Sequence, residues 1–265
     1  MNAGGRHDEY AITADLYDYV EPYRTRSDVG FFVDAAREAG SPVLELGCGT
    51  GRVLVPTARV GVDIVGLDAS PNMLGVCRRR LDDEPEDVRA RVRLVEGDMR
   101  RFDLGATFAL VTMPFRPFQH LTTVGDQLAC LASVGRHLAP GGTLIFDVFD
   151  PLLESLAQPA TGEEVGGEPA FVTADGRHVV RTHRRMAHDK ANQVQTIELV
   201  YHVTHPDGRR ERLVHAFDMR YFFRFEVEHL LARAGFEVRH VYAGFAKQAV
   251  GSMYPADLVF VARRE

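Results

Sequence analysis

Apolar and polar positions divide the chain into two unlike halves. In the first, short apolar runs alternate with longer amphipathic stretches. Val43-Leu44-Glu45-Leu46, Val62 to Asp68, Val92 to Glu96, Phe108 to Met113 and Thr143 to Val148 read as buried strands. Between them lie predicted helices over about 51–60, 70–81 and 124–138. Pro56 predicts a kink or a late start in the first of these. Ser70 caps the second, with Pro71 at its first turn, and Pro140-Gly141-Gly142 stops the third. Strands alternating with helices predict right-handed crossovers and a mainly parallel, doubly wound α/β sheet. Ahead of them, Tyr10, Ala14, Leu16, Tyr17 and Val20 suit a helix from Asp8 to about Val20. A second helix, 28–39, is capped by Ser27 and ended by Gly40.

After Asp150 the period changes. Residues 151–170 are loop-like, and β-rich stretches at 177–188, 193–204 and 211–223 are separated by Asp175-Gly176 and Pro206-Asp207-Gly208. They predict an antiparallel insertion after strand five. A helix over 225–234 and strands 236–242 and 257–261 complete the main sheet. The expected organisation is therefore an N-terminal helical lid (1–40), a ligand-binding core (41–150), the β insertion (151–224) and a C-terminal completion (225–265). The insertion could wall a pocket, cover one face, or make a homo-oligomer interface. The aromatic run Tyr221-Phe222-Phe223 with Phe225 suits core or interface equally.

Composition narrows the classes. A net charge of −6 over 265 residues supplies no field for nucleic acid. Arg78-Arg79-Arg80 is answered at once by Asp82-Asp83-Glu84, as on a solvated helix end. No apolar run reaches membrane-span length, and Met1 to Arg6 lacks the apolar core of a leader, so a cytoplasmic protein is expected. Residues 1–7 read as disordered. Three cysteines, Cys48, Cys77 and Cys130, fit reduced packing roles. His183, His188, His202 and His205 lack metal-site grammar and are expected at the surface, with no metal.

The candidate chemistry begins at Glu45-Leu46-Gly47-Cys48-Gly49-Thr50-Gly51. Glycines at alternate positions let backbone turn sharply and approach a ligand. A dinucleotide fingerprint needs a third glycine where Arg52 stands, and a triphosphate loop needs a lysine that is absent here. The stretch resembles the first motif of the class I S-adenosylmethionine-dependent methyltransferases. The rest of their motifs follow in order: Asp68 ending strand two, Gly97-Asp98-Met99 ending strand three, and Leu138 to Leu144 turning into strand five. The resemblance covers about 27–150 strongly, and with the tyrosine-rich start and β insertion it looks like the small-molecule subgroup, including amine N-methyltransferases.

That resemblance implies a Rossmann-like seven-stranded sheet and S-adenosylmethionine held by Glu45, Gly47, Cys48, Gly49, Gly51, Asp68, Ala69, Met73, Gly97, Asp98, Met99 and Met113. Asp68 would take the ribose hydroxyls, and Asp98 with the Met99 amide the adenine. Met73 suits the adenine or the core equally. The donor has no phosphate, which accounts for the missing lysine. After strand four, Phe115 and Phe118 are expected as an apolar wall for the acceptor, without the [DN]-P-P-[FY] pattern of base-modifying enzymes. His120 could accept a proton from the nucleophile, or be satisfied by backbone. Tyr10 and Tyr17 are expected over the acceptor as catalytic or binding groups if the first helix is a lid. The expected reaction is methyl transfer to a small-molecule amine, with a hydroxyl or carboxylate acceptor, or a non-catalytic binding module, as alternatives.

Overall fold

The computed structural model describes residues 8 and 10–264. The expectations for residues 1–7 therefore lie outside the described residues. Seven strands form one sheet: β1 (Val43–Leu46), β2 (Ile64–Asp68), β3 (Val92–Glu96), β4 (Phe108–Met113), β5 (Leu138–Phe149), β10 (Phe236–Ala243) and β11 (Asp257–Arg264). Their order is β10-β11-β5-β4-β1-β2-β3. The first five run parallel, and β11 is antiparallel to both β5 and β10. Strand order reverses between β1 and β4, and the glycine turn leaves β1 at that point. In an open sheet this crevice is where ligands bind.

Alternating residues of the strands feed two cores. Leu44, Leu46, Val111, Phe146 and Phe260 pack beneath α7 (Val124–His137) and α9 (Arg224–Arg233). Val43, Ile64, Leu110 and Val259 pack beneath α3 (Asp28–Ala39), α4 (Leu54–Arg59) and α5 (Pro71–Asp82). Helix α3, grouped with the lid on sequence, thus belongs to the core through Phe31, Phe32 and Ala36.

Helix α4 starts late, at Leu54, so Pro56 stands in its first turn, where no intrahelical donor is lost. Ser70 accepts the Met73 amide at 3.0 Å and Thr123 the Asp126 amide at 3.1 Å, both as N-caps. Ser27 does not cap α3 with its side chain. Strand β5 begins at Leu138, before the expected stop, because Leu138 already pairs with Phe108 across a register shift. The continuous helix expected from Asp8 to Val20 is broken into turns around α1 (Ala14–Tyr17), followed by α2 (Glu21–Arg24). Carboxylates of this segment pair instead with the glycine turn and with α5. Asp18 binds Thr50 Oγ1 at 2.8 Å and Arg80, and Asp15 binds Arg79.

The insertion is a second sheet of β6 (Phe171–Val172), β7 (His178–Asp189), β8 (Val194–Thr204) and β9 (Arg210–Arg220), antiparallel throughout. Val179, Tyr201 and Val203 on its inner face pack on Leu16, Val20 and Tyr23 of the N-terminal segment. The insertion therefore clamps residues 10–26 over the main sheet. Gln119 ties the layers together: its Nε2 donates to the Arg220 carbonyl at 2.8 Å and its Oε1 accepts the Phe149 amide at 3.0 Å. The aromatic run divides: Phe222 is core, whereas Phe223 and Phe225 are exposed. Among the described residues no helix is long and apolar enough to cross a membrane.

Candidate active site

The glycine turn, the ends of β2 and β3, and the loop after β4 enclose one cavity of about 790 Å³. Gly47 has φ +69, and a Cβ there would stand 2.7 Å from Pro117, so the turn and the β4 loop can meet only at glycine. Gly49, at φ +53, donates its amide to Asp68 Oδ2 at 2.7 Å, and the Ser70 amide donates to Oδ1 at 2.8 Å. The carboxylate is held rigidly at the cavity wall and keeps lone pairs for two hydroxyls. Gly47, Cys48, Ala69, Met73, Gly97 and Met99 line the same space. The Cys48 thiol is buried and pushed well above its usual pKa by desolvation, which suits packing rather than nucleophilic work.

Glu45 is only 2% exposed, and its Oε2 has no hydrogen-bond partner. Burial pushes its pKa up to about 8, the nearby Asp28 and Asp68 adding to the effect and Arg52 opposing it. A buried orphan carboxyl facing a cavity is matched by a cation. The ammonium of S-adenosylmethionine is such a group, and its ribose diol suits Asp68, so the residues present fit that donor.

Three expected contacts are corrected. Phe118 is fully buried against Phe146 and Phe222, so its ring is core and not an acceptor wall. Met113 is likewise fully buried in the core. Gly51 is required at φ +78 because a Cβ would strike the Cys77 sulfur at 2.6 Å, so it serves packing under the turn. Asp98 lines the cavity where it was expected, and its carboxylate is forked by Arg100, whose Nε lies 3.0 Å from both oxygens.

The acceptor side is built on the loop after β4. Phe115 and Arg116 both adopt left-handed φ, 66° and 70°, a conformation held from outside the loop. Buried Asp147 on β5 accepts the Phe115 amide at 2.8 Å and Arg26 Nη2 at 2.9 Å. Arg26 and Arg52 flank the Phe115 ring at 4.6 and 5.1 Å. Arg52 is itself clamped by Asp28 through bonds of 2.6 and 2.7 Å. Tyr10, Tyr17, Phe115 and His120 all line the cavity. Tyr10 and Tyr17 meet edge to face at 6.2 Å, and Tyr17 is 6.4 Å from Phe115. The N-terminal segment thus closes the cavity, and Asp8, which also lines it, accepts Ser70 Oγ at 2.9 Å and Asn72 Nδ2 at 2.7 Å.

His120 ends a 3-10 turn, Pro117–His120, and desolvation lowers its pKa to about 4, so it is neutral at physiological pH. Its ring lies 5.3 Å from Phe217, which lies 5.0 Å from His215, which lies 4.4 Å from Tyr10. His215 is buried, its pKa also about 4, through burial first and the neighbouring His120 and Arg181 second. Its Nε2 has no partner. Sequence reading missed Asp8, Arg52, Asp147, His215 and Asp218 at this site. Only Arg52 carried a local signal, at the position where a third glycine was absent. Of the insertion histidines, His183 and His202 are exposed and His188 and His205 half-buried, and no metal-type cluster exists among the described residues.

His120 and His215, both desolvated, carry a pH prediction. Both titrate at about 4 in the folded chain against 6.5 ordinarily, so the unfolded chain binds protons first as pH falls. Stability is expected to drop progressively between pH 6.5 and 4. Glu45, raised, acts with the opposite sign on the way to pH 8. The measurement is therefore the melting temperature of His215→Phe against the parent across this window. A drop identical in both would remove His215 from the account.

Comparison with known proteins gives the same assignment. A family model described as a methyltransferase domain matches residues 43–142. The cypemycin N-terminal methyltransferase of a Streptomyces species is 35% identical over 167 residues, 62% of each chain, so the match spans less than two thirds of that relative. The dTDP-4-amino-2,3,4,6-tetradeoxy-D-glucose N,N-dimethyltransferase of Saccharopolyspora spinosa is 31% identical over 177 residues, 62% of this chain and 68% of that one. The CcbJ methyltransferase structure from Streptomyces caelestis superposes with a TM-score of 0.74 at 26% identity over 95% of both chains. With a donor-shaped site at the switch point and these relatives, the chain belongs to the class I S-adenosylmethionine-dependent methyltransferases.

Proposed function

We propose that the protein transfers a methyl group from S-adenosylmethionine to an amine nitrogen of a small molecule. One observation carries this reading: the cavity runs without interruption from Asp68 and Glu45 to Tyr10, Tyr17, Phe115 and His120. A module that only sensed the donor would need no such acceptor half. The names of the relatives, which include an N-terminal and an amino-sugar N-methyltransferase, support nitrogen as the acceptor.

When bound, the donor supplies a methyl on a positively charged sulfur that is already a good leaving group. The chain's own task is alignment, which can contribute roughly 7–11 kcal/mol. Asp68 and the glycine turn hold one end. Glu45 meets a cation deep in the site. Phe115, fixed by Asp147 and flanked by Arg26 and Arg52, forms a rigid floor. Tyr10 and Tyr17 close the cavity against water. His120, neutral and half-buried at the end of its turn, accepts the proton that the nitrogen sheds.

The test is methyl transfer across matched amine and alcohol acceptors, with His120→Ala compared against the parent. His120→Ala is expected to lower turnover by about 10²-fold while leaving donor affinity intact. Unchanged turnover would remove His120 from proton transfer. Because its pKa is about 4, the parent should show no activity loss attributable to His120 until pH falls towards that value. Transfer to alcohols alone would overturn the amine assignment.

A further inference from the structure

Glu45 stands on β1 between two fully buried leucines, Leu44 and Leu46, and lines the cavity just ahead of the glycine turn. Its register partners, Gly66 on β2 and Thr112 on β4, carry no charge. The titratable and charged groups that face it come from the surrounding segments. They are buried Asp28 at the start of α3, Asp68 at the end of β2, Arg52 just ahead of α4, and the thiols of Cys48 in the turn and Cys77 on α5. Only Arg52 is a cation, and it is turned to Asp28 through two bonds of 2.6 and 2.7 Å. The buried Oε2 of Glu45 is left without a partner.

A carboxylate in that place has neither water nor a hydrogen-bond donor for this oxygen, and two further acids stand beside it. Its charged form is costly there, and the group takes up a proton instead. Burial accordingly pushes its pKa up to about 8. The Cys48 and Cys77 thiols are pushed higher still and His120 is lowered to about 4, so none of these three changes charge between pH 6 and 8.

Taking the donor's ammonium to lie against Glu45, as in the reading above, we propose that Glu45 selects the donor by proton exchange: a neutral carboxyl in the donor-free protein, it gives its proton to solvent when the ammonium arrives. One O–H bond breaks at Glu45 and one forms on a solvent base. The ammonium keeps its own protons and forms the ion pair. The site therefore favours ligands that carry the ammonium, and holds them more tightly as pH rises towards 8. S-adenosylhomocysteine carries the same ammonium, so exchange of product for donor moves no net proton.

The test is calorimetry at pH 7 in phosphate and in Tris, whose different ionisation heats report the protons released. S-adenosylhomocysteine is compared with 5′-methylthioadenosine, which keeps the nucleoside and thioether but lacks the ammonium. S-adenosylhomocysteine should release about 0.9 proton and 5′-methylthioadenosine none. The Kd of S-adenosylhomocysteine should fall about ninefold from pH 6 to 7 and about fivefold from pH 7 to 8, with 5′-methylthioadenosine indifferent to pH. Glu45→Gln, isosteric with the neutral carboxyl, should lose both the proton release and the pH dependence. Release of less than about 0.3 proton by the parent, or an undiminished release by Glu45→Gln, would overturn the proposal. Failure of S-adenosylhomocysteine to bind at all would instead sink the methyl-transfer reading, so the two failures are separable.

Discussion

Asp68→Ala should abolish measurable binding of S-adenosylmethionine while leaving a folded protein. The carboxylate has two jobs. It accepts the Gly49 and Ser70 amides, which fixes the glycine turn against the loop after β2, and it presents the remaining lone pairs to the ribose diol. Each charge-assisted bond contributes about 1.5–3 kcal/mol, so losing the diol contacts alone implies a weakening of about 100-fold or more. Isothermal calorimetry measures it, with the melting temperature as a check on folding. Asp68→Asn keeps one carbonyl acceptor and should fall between the two. Full-strength donor binding by the alanine variant would refute the ribose assignment.

The second large effect is on stability. Arg26 is 8% exposed at its side chain and contacts three carboxylates: Asp28 at 3.1 Å, Asp147 at 2.9 Å and Asp257 at 2.8 Å. Those charges hold its pKa above the ordinary arginine value despite burial. Arg26→Met would leave carboxylates in a dry setting with fewer partners. Removing one member of a buried ion pair costs about 3–5 kcal/mol. For a chain of this size that corresponds to a fall of roughly 10 °C or more in melting temperature. Because Asp147 also holds the Phe115 amide, the loop after β4 should loosen, and KM for the acceptor should rise more than the donor Kd. A melting temperature within about 2 °C of the parent would show that the network is not cooperative.

Much of the donor half was legible in the chain. Strand, glycine turn and helix are local: positive φ at Gly47 and Gly49, the Ser70 cap, and an acid ending β2 all follow from neighbours within a few residues. The acceptor half was not. Phe115 and Phe118 look alike in sequence, three residues apart after one strand. One ring faces the cavity among arginines and the other is sealed beneath Phe146 and Phe222. The left-handed turn at Phe115 and Arg116 makes that difference, and it depends on Asp147 some thirty residues away.

The glycine-rich stretch after β1 by itself determined a tight turn, because short-range backbone sterics dictate it, and its resemblance to the methyltransferase first motif, with Asp68 and Asp98 following in order, carried the class of donor. Only the tertiary structure decided what surrounds the acceptor. Asp8 reaching Ser70, Asp18 reaching Thr50, and β9 bringing His215, Phe217 and Asp218 beside the lid are meetings of segments far apart in the chain. Their residue types carry no spacing rule, because long-range packing and charge pairing, not local geometry, bring them together.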